Sequence, residues 1–239
     1  MAIVSNTVGY LDGEVLLEGV FAYDDAIEGK RPVVLISHAW GGRDDFVCAK
    51  ARKLAELGYL AFALDMYGKG ALGSGPEENA KLMRPFMEDR ALLQRRINAA
   101  LYAVKLMPWG DDDKIAAIGF CFGGLCVLDL ARSGADIRGV VSFHGLLSAP
   151  DNIDQPDIKA KVLVLHGHDD PMAPPEHVAA LQQELTRAGV DWQTHIYGNT
   201  LHAFTNPRAN DPDFGTVYQP LADNRSWRAM QNFLAELFA

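Results

Sequence analysis

Cysteine is scarce in this chain, and so are long apolar runs and positive charge. The 239 residues hold three cysteines, Cys48, Cys121 and Cys126. They form no C-x-x-C pair and no zinc-ligand spacing, so neither a disulfide framework nor a zinc module is expected. No apolar run approaches the ~20 residues that cross a bilayer as a helix. The stretch Met1 to Gly9 has neither the basic region nor the apolar core of a secretion signal, and the expected location is cytoplasmic. Lys and Arg number 22 against 31 Asp and Glu, a formal net charge of -9. Nucleic acids and anionic membranes select a basic face, so neither is an expected partner.

Repeats, linkers and cofactor signatures are missing too. Gly68, Gly70, Gly73 and Gly75 crowd one segment, but without the G-x-x-x-x-G-K-[ST] spacing of a phosphate loop, and the segment reads as a flexible active-site loop. H-E-x-x-H and H-x-x-E-H are both absent, so His144, His166, His168, His177 and His195 suggest no metal site, and no cofactor is expected. At 49% hydrophobic and 22% charged, the chain has the composition of an ordinary globular protein. Its length suits one α/β domain over residues 1–239.

What is present is an alternation of short apolar runs with helical stretches. Thr7 to Leu11 and Val15 to Tyr23 flank the Asp12-Gly13 turn signal and suggest paired edge strands. Val33 to Ser37, Tyr59 to Asp65, Lys114 to Phe120, Ile137 to Phe143 and Lys161 to Leu165 read as strands buried on both faces, with Trp192 to Tyr197 as the last strand. Between them lie helical patterns: one capped by Asp44 or Asp45 and stopping at Gly58, and one over Glu77 to Leu106 broken or kinked at Pro85. Phe122 to Arg132, Pro174 to Ala188 and Ala222 to Phe238 follow. This order predicts an α/β fold with a mostly parallel central sheet and helices on both faces. Ligands of such sheets bind beyond the carboxyl ends of the strands. The unusual residues His38 to Gly42, Gly68 to Gly75, Cys121, Asp170 and His202 fall in those loops, and Asp65 ends its strand next to the glycine-rich one.

The run Ile118 to Gly124 places Cys121 where a strand pattern becomes a helix pattern. Gly119 and Gly123 lie two residues to either side, the thiol version of the esterase G-x-S-x-G turn, where a Cβ would clash. A thiol that attacks a carbonyl needs a base, and the base needs an orienting acid. Cys121, Asp170 and His202 supply nucleophile, acid and base in the chain order of an α/β-hydrolase. The Phe122 N–H, opening the next helix, is a candidate oxyanion donor. Cys126 reads as a core residue and Cys48 as lying on the apolar side of a helix. The charges Arg84, Glu88, Asp89, Arg90, Arg95 and Arg96 read as a solvated face, with Arg84 or Arg90 available to a substrate anion.

Gly119 to Gly124, His166 to Pro174 and Tyr197 to Phe204 together resemble the dienelactone hydrolase family, and the resemblance runs from about Leu11 to the C-terminal helix. It implies an α/β-hydrolase fold and hydrolysis of small esters or lactones through an acyl-thiol intermediate, with Cys121 as nucleophile, His202 as base and Asp170, rather than Asp169, as acid. It also implies Ala39 as the second oxyanion donor, with Trp40 beside it as a wall of the acyl pocket. Two positions depart from the family pattern. His38 stands where a thiol-activating glutamate is common, and Asn206 replaces an arginine that binds a substrate carboxylate. The alternative function is a non-hydrolytic ligand-binding or thiol redox-sensing module on the same fold.

Overall fold

The computed structural model describes residues 2–151 and 157–239. Met1 and residues 152–156, which the single-domain expectation also spans, lie outside the described residues. Eight strands form one sheet: β1 (Ile3–Asp12), β2 (Val15–Asp24), β3 (Arg31–Ser37), β4 (Leu60–Ala63), β5 (Gly110–Phe120), β6 (Gly139–Phe143), β7 (Lys161–Gly167) and β8 (Trp192–Tyr197). Their spatial order is β1-β2-β4-β3-β5-β6-β7-β8. The β1-β2 and β2-β4 pairs are antiparallel and the remaining pairs parallel.

Among the described residues six helices cover the sheet: α1 (Asp45–Glu56), α2 (Pro76–Glu88), α3 (Arg90–Lys105), α4 (Phe122–Arg132), α5 (Pro175–Arg187) and α6 (Pro220–Phe238). Successive strand side chains point to opposite faces, so each buried strand feeds two cores. Val33, Leu35, Ala117, Val140 and Val162 pack with Leu93 and Ile97 of α3, Leu125 of α4 and Leu181 of α5. Val34, Ile36, Ile118, Val141 and Leu163 pack on the other side with Val47 and Leu54 of α1 and Met230 and Leu234 of α6. A strand buried on both faces keeps few polar positions, which is why β3, β6 and β7 read as largely apolar runs, with Ser142 of β6 a buried exception.

Four expectations need correction. β2 is not an edge strand, because Val20, Phe21 and Ala22 pair with β4 and leave β1 and β8 as the edges. The long helical stretch is not broken at Pro85, which lies inside α2. It breaks at Asp89, where the backbone is extended and the carboxylate accepts the Leu92 N–H at 3.1 Å, so a capping aspartate starts α3 afresh. The charges of this stretch are not one solvated face. Arg90 is buried in a two-bond ion pair with Asp129 of α4 (Nε–Oδ2 and Nη2–Oδ1 both 2.6 Å), and Arg96 is buried against Asp12 at 2.8 Å. Nor is β8 the last strand, since β9 (Asn210–Asp211) and β10 (Thr216–Val217) form a small hairpin beyond it.

The Asp129 network also holds the loop that follows β6. Arg132 bonds Asp129, Glu184 of α5 and the carbonyls of Leu147 and Ser148, and Arg90 reaches the Ser148 carbonyl as well. Both guanidinium groups and the Asp129 carboxylate are satisfied by charge-assisted bonds, the condition under which buried charge is tolerated.

Candidate active site

At the end of β5 the chain turns directly into α4 through Cys121, whose φ of 56° and ψ of -118° lie in a region side chains rarely adopt. Close packing imposes this conformation. A Cβ at Gly119 would strike the Gly123 backbone, and one at Gly123 would strike the carbonyls of Ser37 and His38 on the neighbouring strand end. The Cys121 N–H donates to the Phe143 carbonyl at 3.0 Å, which ties the turn to β6. Strain of this kind, about 1 to 3 kcal/mol, persists only where the surroundings over-determine it. The result is a half-buried thiol at the helix N-terminus, faced by the amides of Phe122 and Trp40.

His202 comes from the loop after β8. Its N–H donates to the Gly215 carbonyl at 3.0 Å and its carbonyl accepts from Val217 at 3.1 Å, so β10 holds the loop in place. The imidazole Nδ1 lies 2.7 Å from Asp170 Oδ2, with both side chains almost wholly buried. Asp170 Oδ1 accepts the Met172 N–H at 2.9 Å. Asp169 is exposed, and α5 begins at Pro174 and Pro175 with no side-chain cap, so Asp170 is not spent on that helix. Nε2 of His202 is buried with no hydrogen-bond partner, and its ring is electrostatically coupled to the Cys121 thiol.

The pair is polarised. Burial works against charge on both groups. It is outweighed on Cys121 by the His202 charge and by the two amides, so the thiol is held below the usual cysteine range. Burial likewise opposes an imidazolium, but the Cys121 charge and the Asp170 carboxylate push His202 up to about 10. Both shifts favour the charged forms, thiolate and imidazolium. Cys126 is the opposite case, fully buried in α4 and raised well above the ordinary thiol value by that burial. Cys121 is therefore expected to react with iodoacetamide at pH 6 at least ~10-fold faster than Cys126, because only thiolates alkylate and an ordinary thiol is under ~1% ionised there. Lowering the pH removes this reactivity only once it passes the depressed thiol value. Peptide mass spectrometry of time points would check it, and equal rates would contradict the polarised pair.

The loop after β3 carries His38, Ala39 and Trp40. His38 is fully buried and both ring nitrogens are in use: Nε2 accepts the Met66 N–H at 3.1 Å, so Nδ1 bears the proton and donates to the Ala39 carbonyl at 2.7 Å. Burial lowers its pKa and keeps it neutral. With its lone pair occupied, His38 has no means of accepting the thiol proton. The amide that faces the thiol from this loop belongs to Trp40, one residue beyond Ala39. Tyr67 donates its hydroxyl hydrogen to the Trp40 carbonyl at 2.9 Å, and Gly73 donates to the Gly41 carbonyl at 3.0 Å. Asp65 accepts from Tyr67 and Gly68 at 2.9 and 3.0 Å. The glycine-rich loop is thus a brace bonded to the donor loop, and Tyr67, which composition did not single out, is its link.

Of the two arginines proposed for a substrate anion, Arg84 is exposed on α2 and Arg90 is locked to Asp129. Asn206 turns its side chain to the Arg208 N–H at 3.0 Å. His144, at the end of β6, was not assigned a role by sequence. It is buried, bonds Thr205 at 2.8 Å through Nε2 and meets the His202 ring edge to face at 5.1 Å. Its position after a strand, like that of Cys121, was the available signal. Among the described residues no three His, Cys, Asp or Glu side chains are grouped to hold a metal, and no helix is long and apolar enough to cross a membrane.

A mostly parallel sheet with a strained strand-to-helix turn at its centre, and an acid and a histidine on later strand-end loops, defines an α/β-hydrolase. The chain belongs to the dienelactone hydrolase family, whose model matches residues 17–238. Two solved structures are similar over 100% of both chains: m3DLH, 38% identical with a TM-score of 0.94, and a dienelactone hydrolase-like promiscuous phosphotriesterase from metagenomic libraries, 39% identical with a TM-score of 0.93. Uncharacterized protein K02A2.1 of Caenorhabditis elegans is 39% identical over 150 residues, 62% of this chain and 95% of its own.

Proposed function

We propose that the protein hydrolyses small carboxylic esters or lactones through a Cys121-His202-Asp170 triad. The observation that carries this reading is the geometry: a thiol on a strained strand-to-helix turn beside a buried imidazole that is bonded to a buried carboxylate at 2.7 Å, an arrangement that also lowers the thiol pKa and raises that of the imidazole. The Cys121 thiolate attacks the acyl carbon, forming a C–S bond while the carbonyl electrons move to oxygen. The N–H groups of Phe122 and Trp40 receive that oxyanion, with Trp40 in the place expected for Ala39. Collapse breaks the C–O bond, and His202 gives its Nε2 proton to the departing alkoxide. Neutral His202 then takes a proton from water, whose oxygen attacks the thioester. Release of the acid restores thiolate and imidazolium, and one water is consumed per ester.

Support for lactone or ester substrates comes from the family, and three free thiols fit the reducing interior of a cytoplasmic enzyme. Phosphotriester hydrolysis is a second reading, favoured by the 39% identical promiscuous phosphotriesterase. There the same thiolate would attack phosphorus and expel an aryloxide. A panel of aryl esters, lactones and an aryl phosphotriester separates the two readings. No turnover of any of them would instead favour the binding or redox-sensing module.

In this reading His38 is a positioning residue for the Trp40 donor. His38→Ala is expected to lower kcat by ~10²-fold, the scale of one oxyanion donor. Cys121 alkylation at pH 6 should largely persist, because the thiol is activated from His202. Parallel loss of both rates would return His38 to thiol activation. Unchanged kcat with a lower melting midpoint would make it structural only.

A further inference from the structure

The hairpin that steadies His202 also carries an aromatic side chain to the donor loop. Phe214 stacks on Trp40 with ring centroids 5.7 Å apart and planes within 17°. Trp40 presents its amide to the thiol, and Phe214 directly precedes Gly215, whose carbonyl holds the His202 N–H. The stack therefore joins the loop whose amide faces the thiol to the hairpin whose backbone holds His202. Phe214 is 46% exposed and packs in neither core, so the stack does little for the fold.

Its position is nonetheless fixed. The Phe214 N–H donates to Asp211 at 2.9 Å. Gly215 has a φ of 81°, and a Cβ there would strike Pro171, the residue after Asp170. Deeper in, Tyr67 stacks on Phe122 at 5.8 Å, and Phe86 packs against both rings. The arginines considered for a substrate anion are placed elsewhere: Arg84 is exposed on α2, Arg90 is paired with Asp129, and position 206 is an asparagine bonded to its own loop.

We propose that the Trp40-Phe214 stack is a specificity clamp that selects substrates bearing a flat, uncharged aromatic group, which extends the stack beside the thiol. This rests on the hydrolase reading for its consequence but can be tested apart from it. N-benzyl iodoacetamide and iodoacetamide present the same electrophile to Cys121 with and without a ring. The ratio of their alkylation rates at pH 6 is expected to fall ~3- to 10-fold in Phe214→Ala, the scale of one aromatic pair. Phe214→Leu, which keeps apolar cover over the hairpin, should show most of the same fall. The kcat/KM ratio of phenyl acetate to ethyl acetate should drop in the same variants. An unchanged benzyl ratio in both variants would overturn the clamp. A benzyl ratio that falls as expected, in a wild type that cleaves neither ester, would leave the clamp standing and sink the hydrolase reading.

Discussion

Cys121→Ala is expected to cut hydrolysis of a short-chain aryl ester by ~10⁴-fold or more while leaving the protein folded. Losing the nucleophile of a triad costs on the order of 10⁶ in kcat, and what remains is the contribution of binding and oxyanion donors. No other thiol can stand in. Cys126 is fully buried behind the turn with its pKa raised by that burial, and Cys48 lies on α1. The fold should hold because the strain at residue 121 belongs to the backbone: alanine occupies φ 56° with the same Cβ, and the 3.0 Å bond from its N–H to Phe143 is unaffected. The kcat/KM measurement should be paired with rapid-quench mass spectrometry, which should find an acyl adduct on Cys121 in the wild type and none in the variant. Full activity in a folded Cys121→Ala protein would remove the thiol from the mechanism.

How far the sequence could reach is clear at individual residues. Gly119, Cys121 and Gly123 were legible because backbone clashes at a strand-to-helix turn are local, and the helix read as Phe122 to Arg132 is found with those bounds. The parallel strands were legible because burial on both faces leaves a continuous apolar run. Arg90 was not, since its partner Asp129 is 39 positions away on another helix and a charged helical stretch looks solvated until that partner is placed. Pro85 does not mark the break: a proline disturbs the turn before it, whereas a capping aspartate four residues on sets the boundary. The choice between Ala39 and Trp40 as the amide facing the thiol depends on which way two peptide planes turn. That is decided by His38 bonding the Ala39 carbonyl and Tyr67 bonding the Trp40 carbonyl, and the second bond spans 27 residues. The β9-β10 hairpin was missed because two-residue strands carry no periodicity, and Phe214 with it.

Asp170→Asn is expected to lower kcat by ~10⁴-fold, the cost of misorienting a catalytic histidine. Asp170 accepts two hydrogen bonds with its two oxygens, from His202 Nδ1 at 2.7 Å and from the Met172 N–H at 2.9 Å. An asparagine has only one oxygen. If that oxygen stays on Met172, its NH2 group faces His202 and forces Nδ1 to accept, which moves the proton to Nε2 and spoils the base. If the oxygen turns to His202, two donors confront each other at Met172 in a buried space, a loss of about 1 to 3 kcal/mol. In both arrangements the carboxylate that helps push His202 up to about 10 is gone. The imidazolium is then lost at lower pH, and without that charge beside it the Cys121 thiol keeps its proton to higher pH. Cys121 alkylation at pH 6 should therefore slow, with its midpoint moving toward higher pH. Asparagine is as good a turn and capping residue as aspartate, so a merely structural Asp170 would leave kcat and the alkylation profile near wild type. Profiles of both rates from pH 5 to 10, set beside a melting curve, decide between these outcomes.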